Sequence, residues 1–317
     1  MLRSVRDAEL SGKRVFVRVD LNAPIEKGKV ADDRRITAAI PTLKYILDSG
    51  ASSVTVATSF SDPTTPLAPV KERLRDLIDD SRIVLRNNLR EDPREEQNVI
   101  SYAEELSADH DVYVNDAFGV CHRDHASVTG VPRILPAFAG FSVGREVDEL
   151  SYLLNEPKKP FVVLIGGKKF KDKREVVARL SKVASKILLG GKTGLGYEAV
   201  LQGSENIILP MDDIDGQDIG PRTLEAFKEA LKTAETVFWN GNMGRSEDSR
   251  YATGTFEIAR YLARSSARVY VGGGNTGKVI SDLELESKMY FVSTGGGATL
   301  QFIANGGRLP GLIPLER

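Results

Sequence analysis

The stretch "RVYVGGGNTGKV", residues 268–279, decides how this chain is read. An apolar run breaks at three glycines, and Asn275 and Thr276 then lead into what reads as a helix start. Glycines at the tip of a strand let a ligand touch the main chain, and free N–H groups at a helix start favour an anion. The same ending recurs in "FVVLIGG" (161–167), "KILLGG" (186–191), "TVFWNG" (236–241) and "YFVSTGGG" (290–297). A single glycine pair after a strand is a tight turn. A whole half built this way points to a phosphate or nucleotide, because glycine costs roughly 0.5–1 kcal/mol against alanine in regular structure. The glycines form neither a G-x-G-x-x-G fingerprint nor a Walker loop: Val279 stands where Ser or Thr must hold magnesium, and "LLGGKTG" lacks the first glycine.

Strands in the first half end differently. "RVFVRVD" (14–20), "SVTVATS" (53–59), "RIVLRN" (82–87) and "DVYVND" (111–116) run into Asp20, Asn22, Asn88, Arg90, Asn115 and Asp116. Apolar runs alternating with helical patterns predict an α/β chain with parallel sheets, whose ligands sit outside the carboxyl ends of the strands. Two halves with different strand endings predict two ligands, one gripped by side chains and the other by backbone. "KREVVARLSKVASKI" places Val176, Leu180, Val183 and Ile187 on one helical face, and "PTLKYILDSG" closes on a C-capping glycine. The domain boundary is expected in "GREVDELSYLLNEPKKP" (144–160), a helical pattern ended by Pro157 and Pro160.

At 317 residues the chain has room for two full cores. Its 43 Lys and Arg balance 44 acidic residues, so an anion site must be local, and no basic stripe with aromatic platforms suggests nucleic acid. A lone Cys121 excludes an internal disulfide, and no apolar stretch suits a signal peptide or a membrane span, which gives a cytoplasmic reading. In "GGKKFKDK" (166–173), Lys168, Lys169, Lys171 and Lys173 oppose the helix dipole unless an anion or water receives them, and at least one is expected on a phosphate. His122, His125 and Cys121 read as packing and hydrogen-bonding residues rather than as a metal or nucleophile site. Asp20 and Asn22 with Arg35, Arg90 and Arg123 describe a pocket for a small, multiply charged acid bearing a hydroxyl.

These segments resemble phosphoglycerate kinase motifs, in the family's order. They are "RVDLNAP", "RRITAAIPTL", "VNDAFGVCHRDHAS", "AGFSVGREVDEL", "PFVVLIGGKKFKDK", "DIGPRT", "TVFWNGNMG", "GTFEIA", "VGGGNT" and "STGGGATLQF", with "RLPGLIPL" at the C-terminus. The resemblance implies two Rossmann-like domains whose parallel sheets face each other across a hinged cleft. Residues 1–157 would bind phosphoglycerate, with a connecting helix at about 144–157. Residues 158–300 would bind nucleotide, and 301–317 would return toward the first domain. The implied reaction is the glycolytic transfer of phosphoryl between 1,3-bisphosphoglycerate and ADP by a monomer using magnesium with ATP or ADP.

By motif, Asp20, Asn22, Arg35, Arg90 and Arg123 resemble the phosphoglycerate set, with Arg35 and Lys169 at the transferred group. Lys173, Gly190, Gly191, Gly220, Asn240 and Glu247 match the nucleotide side, together with Gly272, Gly273, Gly274, Asn275 and Thr276. Gly295, Gly296 and Gly297 would line the phosphate cleft.

The departures are specific. The family's "SHLGRP" loop is "SFSDPT" here, with Phe60 for the histidine and no arginine; "GGGDT" has Asn275 for its aspartate; "GGGMA" reads "GGKTG"; and "WNGPMGVFE" reads "WNGNMGRSE". A strand and helix before "RIVLRNN" and the stretch between "LGYEAV" and "DIGPRT" are missing. Three lost charged contacts at roughly 1.5–3 kcal/mol each would slow turnover at least about a thousandfold if additive. Lys168 and Lys171 add compensating charge. Slow phosphoglycerate kinase chemistry, the same chemistry on another acid, and a non-catalytic nucleotide or metabolite binder all remain open at this point.

Overall fold

Val15, Phe16, Val17 and Val19 alternate sides yet all are buried, which marks β1 (Arg14–Val19) as a central strand covered on both faces. In the computed structural model, which describes residues 1–168, 173–191 and 206–317, β1 lies within the first of two units. That unit comprises Met1–Asp148 with Arg308–Arg317, and the second comprises Glu149–Gly307. A short antiparallel hairpin, β2 (Ile25–Glu26) and β3 (Lys29–Val30), follows β1. The remaining strands of the first unit are β4 (Ser53–Ala57), β5 (Ile83–Leu85), β6 (Val112–Asp116) and β7 (Ala137–Ala139). They form a parallel sheet in the order β5-β4-β1-β6-β7. The helix Arg34–Asp48 buries Ile36, Ala39, Ile40, Leu43, Ile46 and Leu47, a stripe of helical period that packs into the same core as Val15, Val17 and Val54.

Among the described residues the second unit carries a parallel sheet in the order β10-β9-β8-β13-β14-β15. Its strands are β8 (Phe161–Ile165), β9 (Lys186–Leu189), β10 (Ile207–Ile208), β13 (Thr236–Asn240), β14 (Arg268–Gly272) and β15 (Phe291–Val292), with a hairpin of β11 (Asp213–Ile214) and β12 (Asp218–Ile219) beside it. Trp239, Phe227, Ile258 and Ile280 fill one side of this core. In both units the strand order doubles back on a central strand, as expected of crossover helices on a parallel sheet.

Two expectations fail locally. The helical pattern of residues 173–187 ends at Leu180, because the helix spans Arg174–Leu180 and Ile187 sits in β9, paired with Val163 and Ile207. The Ser185 N–H donates to Phe161 O at 2.7 Å and draws the chain into the sheet, so the apolar spacing carries across two elements by coincidence. The strand expected at 290–297 is only Phe291–Val292, and its glycines form the next helix start instead.

The division between units falls inside the helix Phe141–Asn155, so residues 149–157 and 301–307 go with the second unit. The last ten residues belong to the first: Arg3 N–H donates to Leu315 O at 2.8 Å, and Gly311 N–H to Cys121 O at 2.8 Å. Cys121 is fully buried there, and burial pushes its thiol up to about 12, which leaves no thiolate at neutral pH. Among the described residues no group of three His, Cys, Asp or Glu side chains is arranged to hold a metal, and no helix is long and apolar enough to cross a membrane.

Candidate active site

The loop after β1 turns on Asp20, whose carboxylate accepts the Asn22 N–H at 3.1 Å, an Asx turn that places both half-buried side chains beyond the sheet end. Arg35, in the first turn of the helix Arg34–Asp48, reaches back to Asp20 at 3.2 Å and donates to Asn22 O at 3.2 Å. Ser61 links the next pair: its hydroxyl accepts from Asn22 Nδ2 at 3.1 Å, and its carbonyl accepts from Arg90 at 3.4 Å. Arg90 also lies 3.1 Å from Glu96. Asp20, Asn22, Arg35 and Arg90 therefore form one connected polar surface at the carboxyl end of the sheet, with Ser61 as a member that serine's plain chemistry did not announce.

Arg123 stands exposed nearby. Its charge and that of Arg90 both act on His125, whose pKa is lowered to about 4 by burial first and by the two arginines next. Phe60, where a histidine was expected from the resemblance, does not face ligand at all: it is 1% exposed and packs in the core. Asn88 holds that loop by accepting the Phe60 N–H at 3.1 Å.

Beneath this surface lies a buried network that sequence reasoning missed. Arg18 is fully buried in β1; it donates to Ser127 Oγ at 3.0 Å and to Ser59 Oγ at 2.6 Å. Ser127 in turn donates its N–H and hydroxyl to the Glu95 carboxylate at 2.9 and 2.5 Å. Burial raises the Glu95 pKa, and Arg18 opposes that rise. The signal available was a cation flanked on both sides by valine in an otherwise apolar strand.

In the second unit a cavity of about 470 Å³ opens at the carboxyl end of the sheet. Two helices begin on it: Gly274–Asp282, capped by Gly273, and Gly297–Ala304, capped by Gly296. Among the described residues no side chain caps either start, which leaves their positive dipole ends at the cavity wall, although Ala298 N–H is taken by Gly295 O at 3.0 Å. Gly273 needs its freedom, since its φ is +90° and a Cβ would sit 3.2 Å from Asn240 Nδ2. Asn240 is 2% exposed, lines the cavity, and its Nδ2 has no partner among the described residues. A buried donor left open beside two bare helix starts is a place for an anionic oxygen.

Around this point Lys173 donates to Gly166 O and lies 3.5 Å from Asn240 O. Thr276 Oγ1 accepts the Gly241 N–H at 2.9 Å and ties the helix start to β13. Lys168 pairs with Glu247 at 3.1 Å. The Glu247 pKa is lowered by a backbone N–H first and by Lys168 second. Arg245, held to Asp248 at 2.5 Å and lying over the Tyr251 ring, also lines the cavity.

The glycines sort into two kinds. Gly191, Gly273, Gly274, Gly296 and Gly297 line the cavity. Gly190, Gly220 and Gly272 instead allow close packing, since a Cβ would meet Met243 Sδ at 2.5 Å, Asp212 Cγ at 2.4 Å and Asn240 Nδ2 at 3.0 Å. Gly295 is not among the lining residues. Asn240, Glu247, Lys173, Asn275 and Thr276 are on the cavity wall; Gln217, Asn242, Arg245 and Leu300 join them without a sequence expectation. Lys169 and Lys171 lie outside the described residues, as does "KTG" of "GGKTG".

The comparisons agree over the length of the chain. A family model described as phosphoglycerate kinase matches residues 5–82, 77–207 and 196–306. The phosphoglycerate kinase of Rubrobacter xylanophilus is 36% identical over 384 aligned positions, covering 99% of this chain and 98% of that protein. That of Roseiflexus sp. is 36% identical over 393 positions, covering 99% of each. These alignments are several dozen positions longer than the 317-residue chain, in keeping with missing elements. The solved phosphoglycerate kinases of Coxiella burnetii and Pyrococcus horikoshii superimpose with TM-scores of 0.85 at 27% and 29% identity, each over 99% of this chain and 99% and 98% of theirs. With a family model matching nearly its whole length and relatives 36% identical over 99% of it, the chain belongs to the phosphoglycerate kinase family.

Proposed function

We propose that this chain transfers a phosphoryl group reversibly between 1,3-bisphosphoglycerate and ADP, giving 3-phosphoglycerate and ATP. Its family membership makes it a phosphotransferase of this kind. The observation that carries the assignment of the second site is the pair of uncapped helix starts beside the open Asn240 donor. A polyphosphate matches those N–H groups in charge and reach. The first site supports a phosphorylated hydroxy acid, with Arg35, Arg90 and Arg123 for its charges and Asp20 for a hydroxyl proton.

In the direction of acid phosphorylation, a carboxylate oxygen attacks the terminal phosphorus of ATP, the new O–P bond forms as the bond to ADP breaks, and ADP leaves with the electron pair. No covalent enzyme intermediate is needed, so the protein contributes position and positive charge. Arg35 is assigned to the equatorial oxygens of the transferred group, and Lys169 to the same group by motif. Lys173 and the helix starts are assigned to the nucleotide phosphates. We further assign the chain to the cytoplasm as a monomer, with no membrane or nucleic-acid partner.

Magnesium, which family membership implies with the nucleotide, meets a poor donor set. Among the described lining residues Glu247 is the one carboxylate, and it is paired with Lys168; Asn275 offers a neutral amide. A protein-held magnesium site does not fit these residues.

The test is a coupled assay with ATP and 3-phosphoglycerate. Turnover should be slow but clearly above that of Arg35→Ala, which is expected to lose about 10²–10³ in kcat. Nucleotide binding with no turnover above that variant would favour a binding protein that kept the fold.

A further inference from the structure

We propose that the nucleotide pocket neutralises its polyphosphate with protein cations, Lys168 and Arg245, so that nucleotide affinity barely depends on magnesium. The inference rests on the nucleotide reading of the cavity and deepens it. Three cationic side chains, Lys168, Lys173 and Arg245, line the cavity against the single carboxylate of Glu247. That count is made over the described residues; Asp172 lies outside them.

The arrangement of these charges matters more than their number. Lys173 is anchored at the wall by main-chain carbonyls at the ends of β8 and β13. Arg245 is fixed by Asp248 at 2.5 Å and by Tyr251, with a buried Nε that has no partner among the described residues. Its guanidinium is therefore preorganised, with hydrogen-bonding capacity left over. Lys168 is different. Its side chain is 69% exposed and its pair with Glu247 is exposed too, so the ammonium can exchange that partner for a phosphate at little cost. A divalent ion bound to the same phosphates would need hard oxygen donors with negative charge. Among the described residues the wall offers it two ammonium groups, a guanidinium, the Asn275 amide and a single carboxylate, Glu247, already paired with Lys168. Positive charge supplied from the wall and positive charge brought by a metal compete for the same phosphate oxygens, so a wall of this sign should make the metal dispensable for binding.

Calorimetric titration of ADP and ATP into the full chain, in excess magnesium and in EDTA, gives the ratio of the two dissociation constants. The expected ratio is within about threefold of unity. In Asn275→Asp the added carboxylate should weaken the metal-free complex and raise the ratio to about tenfold or more. Lys168→Ala, at an exposed position and with its fold checked by circular dichroism, should weaken the metal-free complex about tenfold and the magnesium complex less. A wild-type ratio above about tenfold, unchanged by either substitution, overturns the inference while leaving the nucleotide reading standing. Absence of binding in both conditions overturns the nucleotide reading and the inference with it.

Discussion

Arg35 touches Asp20 and the Asn22 carbonyl, and both contacts hold its guanidinium in one orientation beyond the sheet end. Arg35→Lys should not restore the rate lost in Arg35→Ala, because a point charge on a flexible stem cannot reproduce a planar fork; a steady-state comparison of the two variants checks this. His125 gives a pH prediction. Its folded pKa is near 4 against an unfolded value near 6.5, so between these values the unfolded chain holds more protons. Its contribution to stability is complete above about pH 6.5 and is lost as pH falls through 4, on the order of 1–2 kcal/mol after discounting for solvent screening. Urea titrations at pH 7 and pH 4.5 should show that loss, and His125→Gln should shrink it; equal losses in both proteins would remove His125 from the account. Asp20, Asn22 and Arg35 were legible because a polar cluster at the end of an apolar strand has few other uses. Ser61 was not, since a serine in a loop carries no mark of what it bonds. Phe60 could be read as a loss of a contact but not as a gain of core packing.

Helix starts and strand ends make the second site, and its glycines serve two physical ends that the letter G does not distinguish. At Gly241, φ is +94° and a Cβ would lie 2.3 Å from Gly166 O, where the ends of β13 and β8 meet. Gly241→Ala should cost more than about 3 kcal/mol and lower the melting temperature of the second unit sharply. At Gly274 a Cβ would meet nothing within 4 Å, and it lines the cavity. Gly274→Ala should leave stability within about 0.5 kcal/mol of wild type yet weaken nucleotide binding about tenfold, because the methyl group occupies space a phosphate needs. Melting and titration of both variants separate the two roles; loss of stability in Gly274→Ala would reverse the assignment. At this scale the strands were legible from apolar runs bounded by turn residues. β7 and β10 were too short to stand out, and the pattern through Ile187 ran on because a helix face and a buried strand are both apolar.

Each of the two units has its own core; with the proposed acid site in one and the proposed nucleotide site in the other, transfer requires both. Nucleotide and 3-phosphoglycerate together should lower the radius of gyration in solution scattering, whereas either alone should change it less. An unchanged profile with both ligands would count against closure as part of the cycle. The two-unit plan was legible in the contrast between polar and glycine strand endings. The missing elements were visible only as gaps between motifs, and what they do to substrate fit depends on packing that no local pattern encodes. The central claim is direct phosphoryl transfer between an acyl phosphate and ADP. Its most direct test is ATP formation from ADP and 1,3-bisphosphoglycerate by purified protein, set against a Lys169→Ala control. The account predicts ATP accumulating well above that control, and ATP at the control level would contradict it.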